Sequence, residues 1–155
     1  MQRDLRSEIR QTRPFSSLEE EAVLNLQRTA DVIGQQTAEL LKAAGLTPTQ
    51  YNVLRILRGA GGAGLTAGEI GERMLTRGSD VTRLLDRMEA QALVQRARSA
   101  HDRRVVTVGI SPGGLQALST LDEPMRELHL RQLGHLGGER LRQLVGLLEA
   151  ARHGP

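Results

Sequence analysis

Cysteine is missing from this 155-residue sequence, and with it go thiol redox sensing, disulfides and thiolate metal sites. Tryptophan is missing too, and the only aromatic residues are Phe15 and Tyr51. The core must therefore be aliphatic, and recognition of single-stranded nucleic acid by stacked aromatics is disfavoured. Lysine is nearly absent: of 21 cations, 20 are arginine and only Lys42 is lysine. Arginine is the better partner for phosphates and guanine edges, although genomic base composition biases the count in the same direction. No apolar run is long enough to span a bilayer, and Arg3, Asp4, Arg6, Glu8 and Arg10 interrupt the N-terminal stretch where a secretory signal would be apolar. A cytoplasmic protein is expected. The net charge of +3 is too modest to indicate nucleic acid by itself. The length suits one domain with a real core, and no repeat is present.

What is there is concentrated between Leu65 and Ser111. Thr66 opens a short helix with a capping box, Thr66-Ala67-Gly68-Glu69, and Ile70 and Met74 form its inward face. A break follows at Thr76-Arg77-Gly78. Ser79 is expected to cap a second helix, with Asp80 at its positive end. Val81, Leu84, Leu85 and Met88 fall at the spacings of one buried stripe, which leaves Ser79, Thr82, Arg83, Asp86 and Arg87 on the outer face. A polar face with cations and no bulky apolar group suits a helix that reads a groove. After Ala92 the period becomes alternating, with Val94, Arg96 and Arg98 on one run and Val106, Val108 and Ile110 on the other. Residues 94 to 104 carry four arginines against one aspartate, a net of 4 − 1 = +3 at an exposed turn. Helix, turn, helix and a two-stranded ribbon with a basic tip make a winged helix-turn-helix.

The flanks read as helices. Residues 1 to 14 offer a short helix around Leu5 and Ile9, or an arm. A long helix is expected from Ser17 to Ala44, opened by the capping box Ser17-Leu18-Glu19-Glu20, striped by Val23, Leu26, Ala30, Ile33, Thr37, Leu40 and Leu41, and closed by Gly45. Thr47-Pro48-Thr49-Gln50 caps a helix running to about Arg58, with Leu54 and Leu57 facing the core and Tyr51 on the adjoining stripe. The Gly/Ala run from Gly59 to Gly64 is a connector, and Leu65 can add a very short third strand to the hairpin. Ser111-Pro112 starts another helix, striped by Leu115, Leu118, Leu121, Met125, Leu128 and Leu133, which Pro124 should kink near Thr120. Gly137-Gly138 marks a joint before a last helix bearing Leu141, Leu144, Val145, Leu148 and Ala151. A small winged domain does not need so much apolar surface at its ends, and the surplus is most easily buried in a homodimer through Leu141, Leu144, Val145 and Leu148. The fold class is thus mainly α with a small β-wing, α+β by minor strand content. It divides into an arm and dimerisation helix (1–46), a winged region (47–111) and C-terminal dimerisation helices (112–155), one compact unit in all.

Taken together, Leu46-Thr47-Pro48-Thr49-Gln50 with Leu54 and Leu57, Val81-Thr82-Arg83-Leu84-Leu85-Asp86-Arg87-Met88-Glu89, Leu93-Val94-Gln95-Arg96, and Asp102-Arg103-Arg104 followed by Ile110-Ser111 and Gly114 resemble the MarR family of bacterial transcription regulators, from about Leu18 to Ala151. The resemblance implies a symmetric dimer formed by the terminal helices, a recognition helix from Ser79 to Gln91 in the major groove, and a wing arginine, Arg104, held by Asp102, in the minor groove. With the outer face already named, the expected contacts to double-stranded, palindromic DNA are Thr66, Ser79, Thr82, Arg83, Arg87, Arg98, Asp102, Arg103 and Arg104. A repressor relieved by a small molecule is the family's habit. The effector is unidentified, and Tyr51, the single phenol, is the one candidate to touch it, in a cleft between the long helices and the winged region; a core phenol is the plainer reading. One departure is Ala92, where the family usually has glycine: a positive φ there would strain alanine.

The competing functions are an enzyme and a protein-binding winged helix. No nucleophilic cysteine and no phosphate loop are present, since the glycines at 59–64 lack a following Lys-Ser/Thr, and no cofactor is expected. His101, His129, His135 and His153 invite a metal, but His129 and His135 are six apart on a helix and His101 is on the wing, so surface histidines are the better reading. A protein-binding wing would more often expose apolar residues than the arginines found here, yet fold alone does not decide between protein and DNA.

Overall fold

The computed structural model describes residues 4–78, 80–99 and 101–154. In order, the chain forms α1 (Leu5–Glu8), α2 (Leu18–Ala43), α3 (Pro48–Ala60), α4 (Ala67–Arg73), α5 (Val81–Ala90), β1 (Val94–Arg98), β2 (Val106–Ile110), α6 (Pro112–Leu133), a 3₁₀ turn (Gly134–Leu136) and α7 (Gly137–His153). Two compact units result, one reaching to Thr37 and the other starting at Ala38, so the division falls inside α2.

In the first unit, Asp4 caps α1 by accepting from the Ser7 amide at 2.9 Å, and Leu5 is buried while Ile9 is exposed. The amide of Glu20 donates to Ser17 Oγ at 3.1 Å, one half of the expected capping box, but the Glu20 carboxylate turns to the amide and hydroxyl of Ser16, at 2.6 and 2.7 Å, and leaves Ser17 unreciprocated. The early part of the α2 stripe is exposed, Val23 to 51% and Leu26 to 42%, whereas Leu41 at its end is buried.

The second unit holds a continuous aliphatic core from Leu41 to Leu128, drawing on α3, α4, α5, both strands and α6. Capping boxes at Thr47/Gln50 and Thr66/Glu69 start α3 and α4 as their spacing predicts. Leu54, Leu57, Ile70, Leu85 and Met88 are all 1% exposed or less. Burying one such side chain contributes about 1.5–3 kcal/mol, so α5 is held by its inner stripe even though its sequence is polar on average. Ser79 lies outside the described residues. The cap of α5 is Asp80, whose carboxylate accepts from the Arg83 amide at 3.1 Å, and the helix covers Val81–Ala90 rather than the expected Ser79–Gln91. β1 and β2 pair antiparallel with Val94 opposite Ile110 and Arg98 opposite Val106, and Leu65 adds the expected third, single-residue bridge to Val108. Gly64 permits that bridge, because a Cβ there would stand 2.9 Å from the Val108 carbonyl oxygen.

Helix α6 runs without interruption through Pro124. The proline removes one hydrogen bond to Thr120, and Leu118, Leu121, Met125 and Leu128, buried on both sides of it, hold the helix together across the gap. Leu115, expected in the same stripe, is 45% exposed.

The turn from α5 into β1 is where the departure from glycine matters. Ala92 has φ +57°, the left-handed conformation that closes the helix through Leu93 N–H to Met88 C=O at 2.9 Å and Ala92 N–H to Glu89 C=O at 2.9 Å. The Ser111 hydroxyl donates to the Ala92 carbonyl at 2.5 Å, and a Cβ at Gly114 would come within 2.2 Å of the Leu93 carbonyl oxygen, so the start of α6 sits directly on this turn. An L-residue in this conformation costs about 1–2 kcal/mol, part of which glycine returns as extra freedom of the unfolded chain. Ala92→Gly is therefore expected to stabilise the protein by about 0.5–1 kcal/mol, raising the thermal midpoint by roughly 1–4 °C. A melt with an unchanged or lower midpoint would show that the turn is unstrained.

Candidate nucleic-acid interface

With Leu84, Leu85 and Met88 turned inward, Thr82, Arg83, Asp86 and Arg87 stand exposed on the outer face of α5. Arg83 pairs with the capping Asp80 at 3.3 Å but keeps 84% of its side chain in solvent. Asp80, Arg83, Leu84, Asp86 and Arg87 line a cleft of about 580 Å³ whose remaining wall is Thr49, near the start of α3. Thr49 did not emerge from the sequence as a site residue, because only the packing of α3 against α5 brings it there. The level of α5 is set from α3 as well. The buried Asn52 accepts from the Leu75 amide at 2.8 Å in the turn before α5, and the buried Gln50 donates from Nε2 to Gln91 Oε1 at 2.8 Å in the turn after it. Neither residue carries a recognisable sequence signal beyond Gln50's part in its own capping box.

The wing tip is built from the backbone. Ser99 N–H donates to Val105 C=O at 2.8 Å, Val105 N–H to Asp102 C=O at 3.0 Å, and Arg104 N–H to Asp102 Oδ1 at 2.9 Å. Asp102 thus positions Arg104 through its main-chain amide, an Asx-turn, and does not itself pair with the guanidinium. Ala100 lies outside the described residues. Arg98, Asp102, Arg103 and Arg104 are exposed. Among the described residues Arg87, Arg98, Arg103 and Arg104 have no carboxylate within ion-pair distance, so their charge is available to an anionic surface. Arg96 is different. It is engaged by Asp86 at 2.6 Å and by Glu89, which hold its pKa above the ordinary guanidinium value, Asp86 having the larger effect. Thr66 stands at the start of α4 with its hydroxyl bonded to Glu69 at 2.9 Å, so that hydroxyl is already used by the fold.

Tyr51 is half-buried, with the Arg55 guanidinium 5.9 Å from its ring centroid. Burial pushes its phenol above the ordinary value. Nearby, Arg58 holds Asp122 through two bonds of 2.9 Å, which lower the Asp122 carboxyl and tie α3 to α6. Among the described residues no group of three His, Asp or Glu side chains could hold a metal ion, and no helix is long and apolar enough to cross a membrane.

Residues 44–105 match the model of the MarR family. The crystal structure of a MarR transcription factor from Planctomyces limnophilus is similar, with 40% identity, a TM-score of 0.66, and coverage of 88% of this chain and 98% of that one. The chain belongs to the MarR family. It is a winged helix-turn-helix transcription regulator and not an enzyme. The HTH-type transcriptional repressor IacR of Pseudomonas putida is 32% identical over 119 residues, 77% of this chain and 70% of that protein. The HTH-type regulator YsmB of Bacillus subtilis is 36% identical over 90 residues, 58% of this chain and 60% of its relative's length. In this MarR-family chain the matched segment takes in α3, α4, α5, β1 and the wing tip, which carry the arginines described above.

Proposed function

We propose that this regulator binds double-stranded DNA sequence-specifically, as a homodimer on a palindromic operator in the cytoplasm, and acts as a repressor released by a small molecule. The observation that carries the reading is the placement of arginines without a carboxylate partner among the described residues on two successive elements, Arg87 on α5 and Arg98, Arg103 and Arg104 on the wing, with Thr82 and Arg83 on the same helix face. In this reading α5 enters the major groove, where polar side chains address base edges, and Arg104 enters the minor groove, where a cation senses width and negative potential. Dimerisation is supported by apolar surface left uncovered on single helices: Val23 and Leu26 on α2, and Val145 and Leu147, 52% and 70% exposed, on α7. Leu141, Leu144 and Leu148 are half-buried beside them. Repression is supported by the likeness to a transcriptional repressor. Release by an effector rests on the habit of the family, with Tyr51 as the candidate contact.

The test is selection of bound sites from random duplex DNA. Two inverted half-sites separated by about 10–10.5 base pairs centre to centre are expected, with an affinity that falls steeply with salt. Failure to enrich any sequence, together with a flat salt dependence, would favour the winged helix as a protein-binding module.

A further inference from the structure

We infer that Arg96 is a positioning residue for DNA recognition, which locks the recognition helix to the wing by holding Asp86 and Glu89 of α5 from the middle of β1. The inference rests on the DNA-binding reading and adds a residue to it that contacts no DNA. Arg96 stands opposite Val108, which is 2% exposed and also bridged to Leu65, so the strand position from which it reaches is anchored in the core. From there Nη2 donates to Asp86 Oδ1 at 2.6 Å, Nη1 donates to Glu89 Oε2, and the Arg96 amide donates to Glu89 Oε1 at 3.3 Å. Three bonds thus join one strand residue to two carboxylates of one helix. The side chain is 28% exposed, against 84% for Arg83.

Two consequences follow from this geometry. The planar fork sets the angle between α5 and β1, and the angle decides whether the α5 face and the wing arginines reach a duplex together. The second concerns charge. Asp86 lines the same cleft as Arg83 and Arg87, and an unmatched carboxylate there would repel phosphate. Arg96 matches it without leaving the protein surface. A lysine keeps the charge but is a point donor on a flexible stem, and cannot hold both carboxylates in one plane.

The experiment measures the ratio of Kd for a random duplex to Kd for a site selected by the wild type, at one salt concentration, using the full chain. Arg96→Lys, which keeps the net charge, is expected to lower this ratio at least tenfold while the thermal midpoint moves by no more than a few degrees. Asp86→Asn with Glu89→Gln makes the protein two charges more positive. It is expected to tighten binding to the random duplex and to lower the ratio to a similar extent. If charge alone mattered, Arg96→Lys would be silent. Wild-type ratios in both variants would overturn the positioning role, as would ratios lost only in step with a collapse of the thermal midpoint. A wild-type protein without discrimination would instead remove the DNA-binding reading on which the inference stands.

Discussion

Leu144→Glu combined with Leu148→Glu converts the protein to monomers and lowers operator affinity by at least about a hundredfold. Both residues lie on α7, a helix with no buried residue and no member in the aliphatic core. Their half-buried side chains flank Val145 and Leu147, which are 52% and 70% exposed. In the proposed dimer this surface is covered by a second copy, and two glutamates placed there would enter an apolar contact at a penalty of several kcal/mol per buried ion. A monomer then meets one half-site at a time. Linking two binding modules raises affinity by about 10²–10⁴ without a new contact, and loss of the dimer forfeits that factor. Because the core excludes α7, the winged unit keeps its fold, and circular dichroism should retain most of its helical signal. Sedimentation reads the outcome. A double variant that still sediments as a dimer overturns the role of α7 in assembly.

Arg104→Ala weakens binding to every duplex, selected or random. The residue has no carboxylate partner among the described residues, and its backbone is fixed by Asp102 at 2.9 Å, so the cation projects from a turn of defined shape. Its loss is expected to cost about 1–3 kcal/mol per half-site. The slope of log affinity against log salt should fall by about 0.9 for each phosphate-equivalent lost. Arg83→Ala on α5 acts on discrimination between the selected site and a mutated one. Asp102→Ala separates two effects of one carboxylate. Removing it relieves repulsion from phosphate, but it also frees the Arg104 amide and loosens the turn. Weaker binding shows that positioning dominates. Tighter binding by Asp102→Ala, together with unchanged affinity in Arg104→Ala at moderate salt, would reduce the wing to an ordinary solvated hairpin.

The winged region was legible because each of its elements carries a local signal. Thr47 with Gln50 and Thr66 with Glu69 state where helices start, the change of period after Ala92 states where strands begin, and the tip must be polar because its backbone has no sheet partner. Legibility failed where two groups compete for one task. Ser17 and Ser16 both offer oxygens to the first turn of α2, and the Glu20 carboxylate goes to Ser16. Asp80, expected only as a charge at the positive end of α5, supplies a bond that caps it.

From the sequence alone came the class of fold, the order of elements, the basic wing and the expectation that Ala92 would be strained if its φ were positive, because periodicity, caps and turn chemistry are local properties. Only the tertiary structure decided that φ is in fact +57°, since it is set by the seating of Ser111 and Gly114 on the turn. It also decided which arginines are matched by a carboxylate among the described residues. Arg96 and Arg98 look alike in the sequence, two positions apart on one strand, yet the docking of α5 against β1 gives Arg96 two carboxylates and leaves Arg98 none among the described residues. Charge can be counted along a chain, but whether a charge is already matched depends on groups that folding brings from elsewhere.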